Sequence, residues 1–268
     1  GHERRYRDWR RGGHGWVDMT RAIAVSSDVY FYDLGHKLGI DRMAPMLGAF
    51  GVGSRVGIDA TGERPGILPS REWKRSAQNL PWFPGETLIT AIGQGYMLTT
   101  PMQLADITST LANRGQRVQP RLLRAIRQTS EADSIMQPVR YLEPVQASEA
   151  HWEVIHQALI DAVHERHGTA WGSVGSTAPG YVVAGKTGTA QVFSLGQDEE
   201  YDQSELDRRL WDHALFIGYA PADDPQIAVA VLVEHGGSGG RVAAPVARKV
   251  MDHHLQSLGL LPVVKDAS

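Results

Sequence analysis

Two hydrophobic rhythms divide the chain. In the first fifty residues apolar positions recur at three- and four-residue steps, predicting helices over Val17 to Val25, Val29 to Leu38 and Arg42 to Phe50. From Gly51 to Pro84 that rhythm is lost in a stretch rich in Gly, Pro and Arg, which reads as long and irregular. Leu88 to Gln94 then leads to Thr100-Pro101, where proline at the first helical position favours a helix through Leu111. Arg121 to Ile126 is a short strand candidate, and Gln128 to Tyr141 a polar excursion. Ser148 followed by Glu149 opens an amphipathic helix that runs to His164.

Beyond that helix the spacing becomes that of strands. In the run from Tyr181 to Val192, Val182 and Val183 lead into Lys186-Thr187-Gly188-Thr189, and Val192 and Phe193 lead out. Gly185 and Gly188 lie inside this strand, where glycine marks close approach of another backbone or a ligand. Gly196 to Leu210 is acidic and polar and reads as a loop beside the strand. His213 to Tyr219 and Gln226 to Val233 form a hairpin around the turn Pro221-Ala222-Asp223-Asp224-Pro225. Gly236 to Gly240 links to a last helix, Val242 to His254, and residues 262–268 read as a flexible tail. The pattern is α+β, helices first, and with no repeat or linker in view residues 1–268 form one domain.

Composition narrows the function only by exclusion. A chain of 268 residues with 42% hydrophobic positions can bury a sizeable core. The formal net charge of −3 gives no reason to expect a nucleic-acid partner. No apolar run approaches the ~18 residues of a membrane span. The absence of cysteine excludes disulfide and thiolate chemistry. No cofactor is called for.

The candidate chemistry gathers at two places. Lys186-Thr187-Gly188-Thr189 lies on the predicted strand, and at a sheet edge such a strand can take up a peptide as an extra strand while Lys and Thr side chains hold its charged end. The tripeptide Lys186-Thr187-Gly188 alone, however, is three residues of common type and more readily describes a surface strand with an ordinary lysine. Ser26-Ser27-Asp28 separates two apolar helical stretches and has the form S-x-D. Its serine can relay a proton and its aspartate can accept from a substrate amide. Asp28 before Val29-Tyr30-Phe31-Tyr32 also suits a helix cap, and both roles can coexist.

A third element, S-x-x-K, would supply a serine nucleophile with a lysine base one helical turn away. No serine of this chain stands three residues before a lysine. Ser70 and Lys74 come nearest, four apart in a Pro- and Gly-rich loop, and do not make the motif. Asp8 and His14 flank a Gly- and Arg-rich loop near Ser26. Two such ligands without a third are weak evidence for a metal, so a solvated or hydrogen-bonded pair is expected. The run from Arg4 to Arg11 reads as a solvated face. His164 and His167 close a helix, where partial positive charge suits the macrodipole, and His213 reads as structural.

Taken together, these blocks resemble a known family. K-T-G and S-x-D are two of the three elements shared by penicillin-binding proteins and class A β-lactamases. Ser26-Ser27-Asp28-Val29-Tyr30-Phe31-Tyr32, Pro69-Ser70-Arg71-Glu72-Trp73-Lys74, Ile92-Gly93-Gln94-Gly95-Tyr96 and Lys186 to Gln191 resemble the transpeptidase domain of class B penicillin-binding proteins. Within that family the likeness is to the elongation-type branch of Gram-negative bacteria, penicillin-binding protein 2, and Asp28 favours it over division-type relatives, which usually carry Asn.

The resemblance implies a five-stranded antiparallel sheet with helices on both sides. It also implies that the first two strands and the S-x-x-K helix precede residue 1, so the chain is expected to be an N-terminally truncated domain, inactive as it stands. Ser26 would relay protons, Asp28 accept from the substrate amide, and Lys186 tune the serines and attract the substrate carboxylate. Thr187, Gly188 and Thr189 would bind substrate, the hydroxyls holding its carboxylate and the Thr189 N–H serving as an oxyanion donor. Gln94 is assigned support. The implied partners are peptidoglycan stem peptides, β-lactams, a membrane glycosyltransferase and shape proteins, at the periplasmic face of the inner membrane. A serine β-lactamase or β-lactam sensor, and a non-catalytic cell-wall scaffold, are the competing readings. No Glu motif for deacylation stands between Ser26 and Lys186.

Overall fold

The structure, a computed structural model, describes residues 5–129, 133–177, 180–192 and 206–262. Helices α1 (Met19–Val25), α2 (Asp28–Leu38) and α3 (Ile40–Ala49) come first, followed by α4 (Arg71–Gln78), α5 (Pro84–Ala91) and α6 (Pro101–Ala112). A small hairpin, β1 (Ala125–Ile126) and β2 (Ile135–Met136), precedes α7 (Glu149–His164). Strands β3 (Ala184–Ala190), β4 (His213–Ala220) and β5 (Ile227–Val233) and helix α8 (Ala244–Ser257) complete the order.

Helix starts follow side-chain chemistry. Thr100 accepts from the Gln103 N–H while the Gln103 side chain returns to the Thr100 N–H, a reciprocal cap on α6. Ser148 caps α7 by accepting from His151 N, so that helix runs over the expected residues. The stretch read as irregular holds α4 whole and ends where α5 begins. Arg-Glu-Trp-Lys-Arg-Ser-Ala-Gln has no apolar stripe to read, and α4 exists because Ser70 caps it and Lys74 anchors it in the interior. The last helix begins two residues later than expected, after a π-helical turn at Gly239–Ala243. The expected loop falls largely on residues 193–205, outside the described residues, and only its end is seen, as a 3-10 turn at Arg208–Leu210. The tail past residue 262 also lies outside them.

Among the described residues the main sheet has three antiparallel strands in the order β3-β4-β5, so β3 is an edge. Helices cover both faces. Ala214, Phe216 and Ala220 of β4 pack with Ala244, Ala247, Met251 and Leu255 of α8. On the other face Ala184 and Tyr219, a register pair, pack against Leu159 of α7 with Ile23 of α1 alongside. Gly185 marks the tightest approach on β3: a Cβ there would lie 2.5 Å from the Phe216 ring and 2.8 Å from the Ile217 carbonyl. The candidate strand is therefore seated on a rigid neighbour, with its outer edge open to chemistry.

Candidate active site

Helix α1 packs on α7, and α7 packs on β3, so the end of α1 reaches the edge strand. That end is Ser26, in the left-handed region at φ 58°. A non-glycine residue there carries a strain on the order of 1–2 kcal/mol. The turn is held by backbone bonds from Ser26 N to Ile23 O (3.1 Å) and from Ser27 N to Ala22 O (2.9 Å). The cap of α2 is Ser27, one residue before the position read as a cap; Asp28 becomes the first helical residue, at the positive end of the dipole.

The two motifs meet. Lys186 Nζ donates to Ser26 Oγ at 3.0 Å and to its neighbour's carbonyl, Thr187 O, at 2.8 Å. Burial lowers the Lys186 pKa to about 8, and the nearby charge of Asp28 opposes that fall. Asp28 moves the other way, to about 6, because of burial and the Asp8 carboxylate, against the Trp9 N–H and the charges of Lys186 and His14. The Trp9 N–H donates to Asp28 Oδ2 at 3.0 Å. Between about pH 6 and 8 the site therefore holds an ammonium in contact with the Ser26 hydroxyl and, two residues on, the Asp28 carboxylate. Both ions pay in lost hydration for a position where they act on whatever binds.

Thr187 and Thr189 point their backbone N–H and C=O groups to the outer side of β3. This follows from the contact of the Thr189 carbonyl with Gln94 Nε2 (2.6 Å) and from the alternation of an antiparallel strand. Thr187 Oγ1 meets Thr169 Oγ1 at 2.7 Å, and the Thr169 N–H reaches back to Ala24 O at 3.3 Å, tying β3 to α1 a second time. Gly188 supplies no side chain, and its partner in register is Leu215. Ser26, Asp28, Lys186 and the Thr187-Gly188-Thr189 segment thus form one constellation. It offers a proton relay, a tunable ammonium, a carboxylate acceptor and a row of edge N–H donors, a set suited to acyl transfer.

Sequence reasoning named the groups and gave Gln94 a supporting place, which its contact with Thr189 O fits, but it missed the other supports. Asp8 and His14 do come together, Oδ1 to Nε2 at 3.1 Å with both side chains buried, but His14 Nε2 forms no hydrogen bond; Asp8 Oδ2 accepts from Ser27 Oγ at 2.9 Å, which anchors the cap beside Ser26. Among the described residues no three His, Cys, Asp or Glu side chains gather as metal ligands. His164 departs from expectation: its Nε2 accepts from the Val183 N–H at 3.0 Å and burial lowers its pKa, so it is a neutral acceptor holding the entry to β3 and carries no charge for the helix end. Thr169, joined to β3 across 18 positions, had no local signal that would have paired it with the strand, and for Gln94, 95 positions away, only the particular backbone partner was illegible.

The Penicillin binding protein transpeptidase domain family matches residues 1–252. The peptidoglycan D,D-transpeptidase MrdA of Haemophilus influenzae is 40% identical over 252 residues, covering 94% of this chain and 38% of that protein. The structure of Pseudomonas aeruginosa penicillin-binding protein 2 in complex with WCK 5153 superposes with a TM-score of 0.80 at 46% identity, covering 95% of this chain and 52% of the other. Penicillin-binding protein 2 of Helicobacter pylori, in its complex with MreC, gives 0.79 at 31% identity over 96% of this chain and 43% of its own. The chain spans well under two thirds of the length of each. It belongs to the penicillin-binding protein transpeptidase domain family, close to the MrdA, or penicillin-binding protein 2, members of Gram-negative bacteria.

Proposed function

We propose that this domain carries the substrate-binding strand and proton relay of a peptidoglycan D,D-transpeptidase of the elongation type. The observation that carries the reading is the 3.0 Å contact between Lys186 Nζ and Ser26 Oγ, which unites two motifs distant in sequence on an open strand edge. A serine acylated by the terminal D-alanyl-D-alanine of a stem peptide would release D-alanine, and an amine of a second stem would then take the acyl group. Ser26 passes the proton between nucleophile and leaving nitrogen. Lys186, protonated below about pH 8, holds the hydroxyl network and attracts the terminal carboxylate, which the Thr187 and Thr189 hydroxyls bind. Asp28, ionised above about pH 6, accepts the stem amide. The Thr189 N–H meets the developing oxyanion, a donor whose loss costs about 10²–10³ in rate.

The acylated serine does not occur here in the form S-x-x-K. Ser70 and Lys74 do not replace it: Ser70 caps α4 and Lys74 is buried against Glu86. We propose that the nucleophile is contributed by residues outside these 268, that the intact protein is the active species, and that it works at the outer face of the inner membrane. Association with a MreC-type shape protein and a membrane glycosyltransferase fits the same reading, the former seen in the Helicobacter relative.

The test is incubation of the intact protein with a labelled penicillin. A long-lived covalent adduct supports transpeptidase chemistry, rapid turnover points to a β-lactamase, and no adduct points to a scaffold.

A further inference from the structure

Gln94 reaches the outer edge of β3 from the helical half of the molecule by two contacts. Its Nε2 donates to the Thr189 carbonyl at 2.6 Å, and its Oε1 accepts from the Gln191 N–H at 3.5 Å. These two backbone groups belong to the peptide planes on either side of Ala190, so one carboxamide fixes both. Only this orientation of the amide satisfies the two partners.

The location is where β3 most needs holding. Gly188, immediately before Thr189, is free of the restraints a Cβ imposes, and pairing with β4 ends one residue after Thr189, at Ala190 opposite His213. An edge strand that ends beside a glycine has little of its own to keep one N–H aimed.

Gln94 is tied back to α5 by its own backbone: its N–H donates to Ile89 O at 3.1 Å, while Gly93 (φ 79°) and Gly95 (φ 77°) supply the left-handed turns that carry it out of the helix end. Tyr96 on the far side lies 5.1 Å from the Trp73 ring and 5.5 Å from Lys74 Nζ. The loop is thus tied to the end of α5 and, through Tyr96, to the packing around Lys74, and it extends Gln94 to the strand edge.

We infer that Gln94 is a positioning residue for the proposed acyl transfer, acting through Thr189: by clamping the peptides around Ala190 it keeps the Thr189 N–H directed at the developing oxyanion. This rests on the acyl-transfer reading. Gln94 touches no reacting atom, and its effect belongs to the acylation step rather than to capture of the ligand.

The test uses the intact protein with a fluorescent penicillin, following acylation across a range of concentrations so that the noncovalent dissociation constant and the acylation rate constant separate. Gln94→Ala is expected to lower the rate constant about 10- to 100-fold, up to the loss seen when an oxyanion donor is deleted outright. The dissociation constant and the melting temperature stay at the wild-type values. Gln94→Glu, which keeps the acceptor for Gln191 but loses the donor to Thr189, falls as far at neutral pH and recovers relative to Gln94→Ala as acid protonates the new carboxyl. A Gln94→Ala protein that acylates at or above the wild-type rate overturns the inference, as does a loss confined to the dissociation constant, a fall in melting temperature matching the lost rate, or a Gln94→Glu variant without acid recovery. A wild-type protein that takes no label overturns the acyl-transfer reading itself.

Discussion

Two lysines, Lys74 and Lys186, are drawn away from water in this domain, and they live in opposite surroundings. Lys74, 1% exposed, is paired with the Glu86 carboxylate and faces the rings of Phe83 at 4.5 Å, Tyr96 at 5.5 Å and Trp82 at 6.0 Å. Glu86 meanwhile accepts from the Phe83 N–H at 2.8 Å, so the pair also closes the start of α5. Lys186 has a hydroxyl and a carbonyl as its direct partners, and its nearest opposite charge, Asp28, acts without a hydrogen bond to it. A buried ammonium with a carboxylate in contact is satisfied and structural. One held by neutral groups is poised, and its charge is available to a ligand.

Exchanging each lysine for methionine is the sharpest way to separate them. Lys186→Met is expected to lower penicillin acylation of the intact protein by about 10³-fold or more, since in the proposed reading Lys186 is both the partner of the Ser26 relay and the group that attracts the carboxylate. Its thermal stability, read by calorimetry at pH 7, does not fall and rises by ~1 kcal/mol, because a desolvated charge is gone. Lys74→Met does the reverse. It leaves Glu86 without its cation and costs about 3–5 kcal/mol of stability, while the protein that remains folded still acylates. Equal stability losses in the two variants would erase the distinction.

A smaller effect separates the site by pH. Acylation is expected to rise with an apparent pKa near 6 as Asp28 ionises and to fall near 8 as Lys186 loses its proton. Asp28→Asn should remove the acid limb and move the alkaline limb lower, because the Asp28 charge is what holds the Lys186 pKa up against burial. The stability signs follow. Lys186, lowered from its ordinary 10.5 to about 8, disfavours the folded state below 8 and ceases to do so as pH climbs to 10.5, so its contribution to stability grows over that window. Asp28, raised from 3.8 to about 6, makes folding less favourable as pH rises between those values. A rate profile unchanged by Asp28→Asn would detach Asp28 from Lys186. The mildest change is at the cap near Lys74: Ser70→Ala is expected to cost ~1 kcal/mol, measured by denaturant unfolding, with acylation unaltered.

The same contrast explains which elements could be read in advance. Helix α7 and the β4-β5 hairpin were legible because a serine cap, an apolar stripe and a turn cluster are local signals, each complete within a few residues. Helix α4 was not, because its only deeply buried side chain is a lysine, and the carboxylate that makes that burial tolerable stands twelve positions on. His164 was misread for the same reason, its partner being a backbone N–H on another element.

Motif chemistry set the cast at the site: Ser26, Asp28 and Lys186 are the residue types that proton relay and acyl transfer need, and Thr187-Gly188-Thr189 is an edge strand with hydroxyls. Tertiary structure set what those types become. The packing of α1 on α7 and α7 on β3 brings Ser26 within 3.0 Å of Lys186, withdrawal from water brings the lysine and the aspartate toward neutral pH, and Gln94 and Thr169 take hold of the strand from afar. A chain announces its chemical groups one by one. Their distances, hydration and charge states belong to pairs far apart in sequence, and those exist only once the chain has folded.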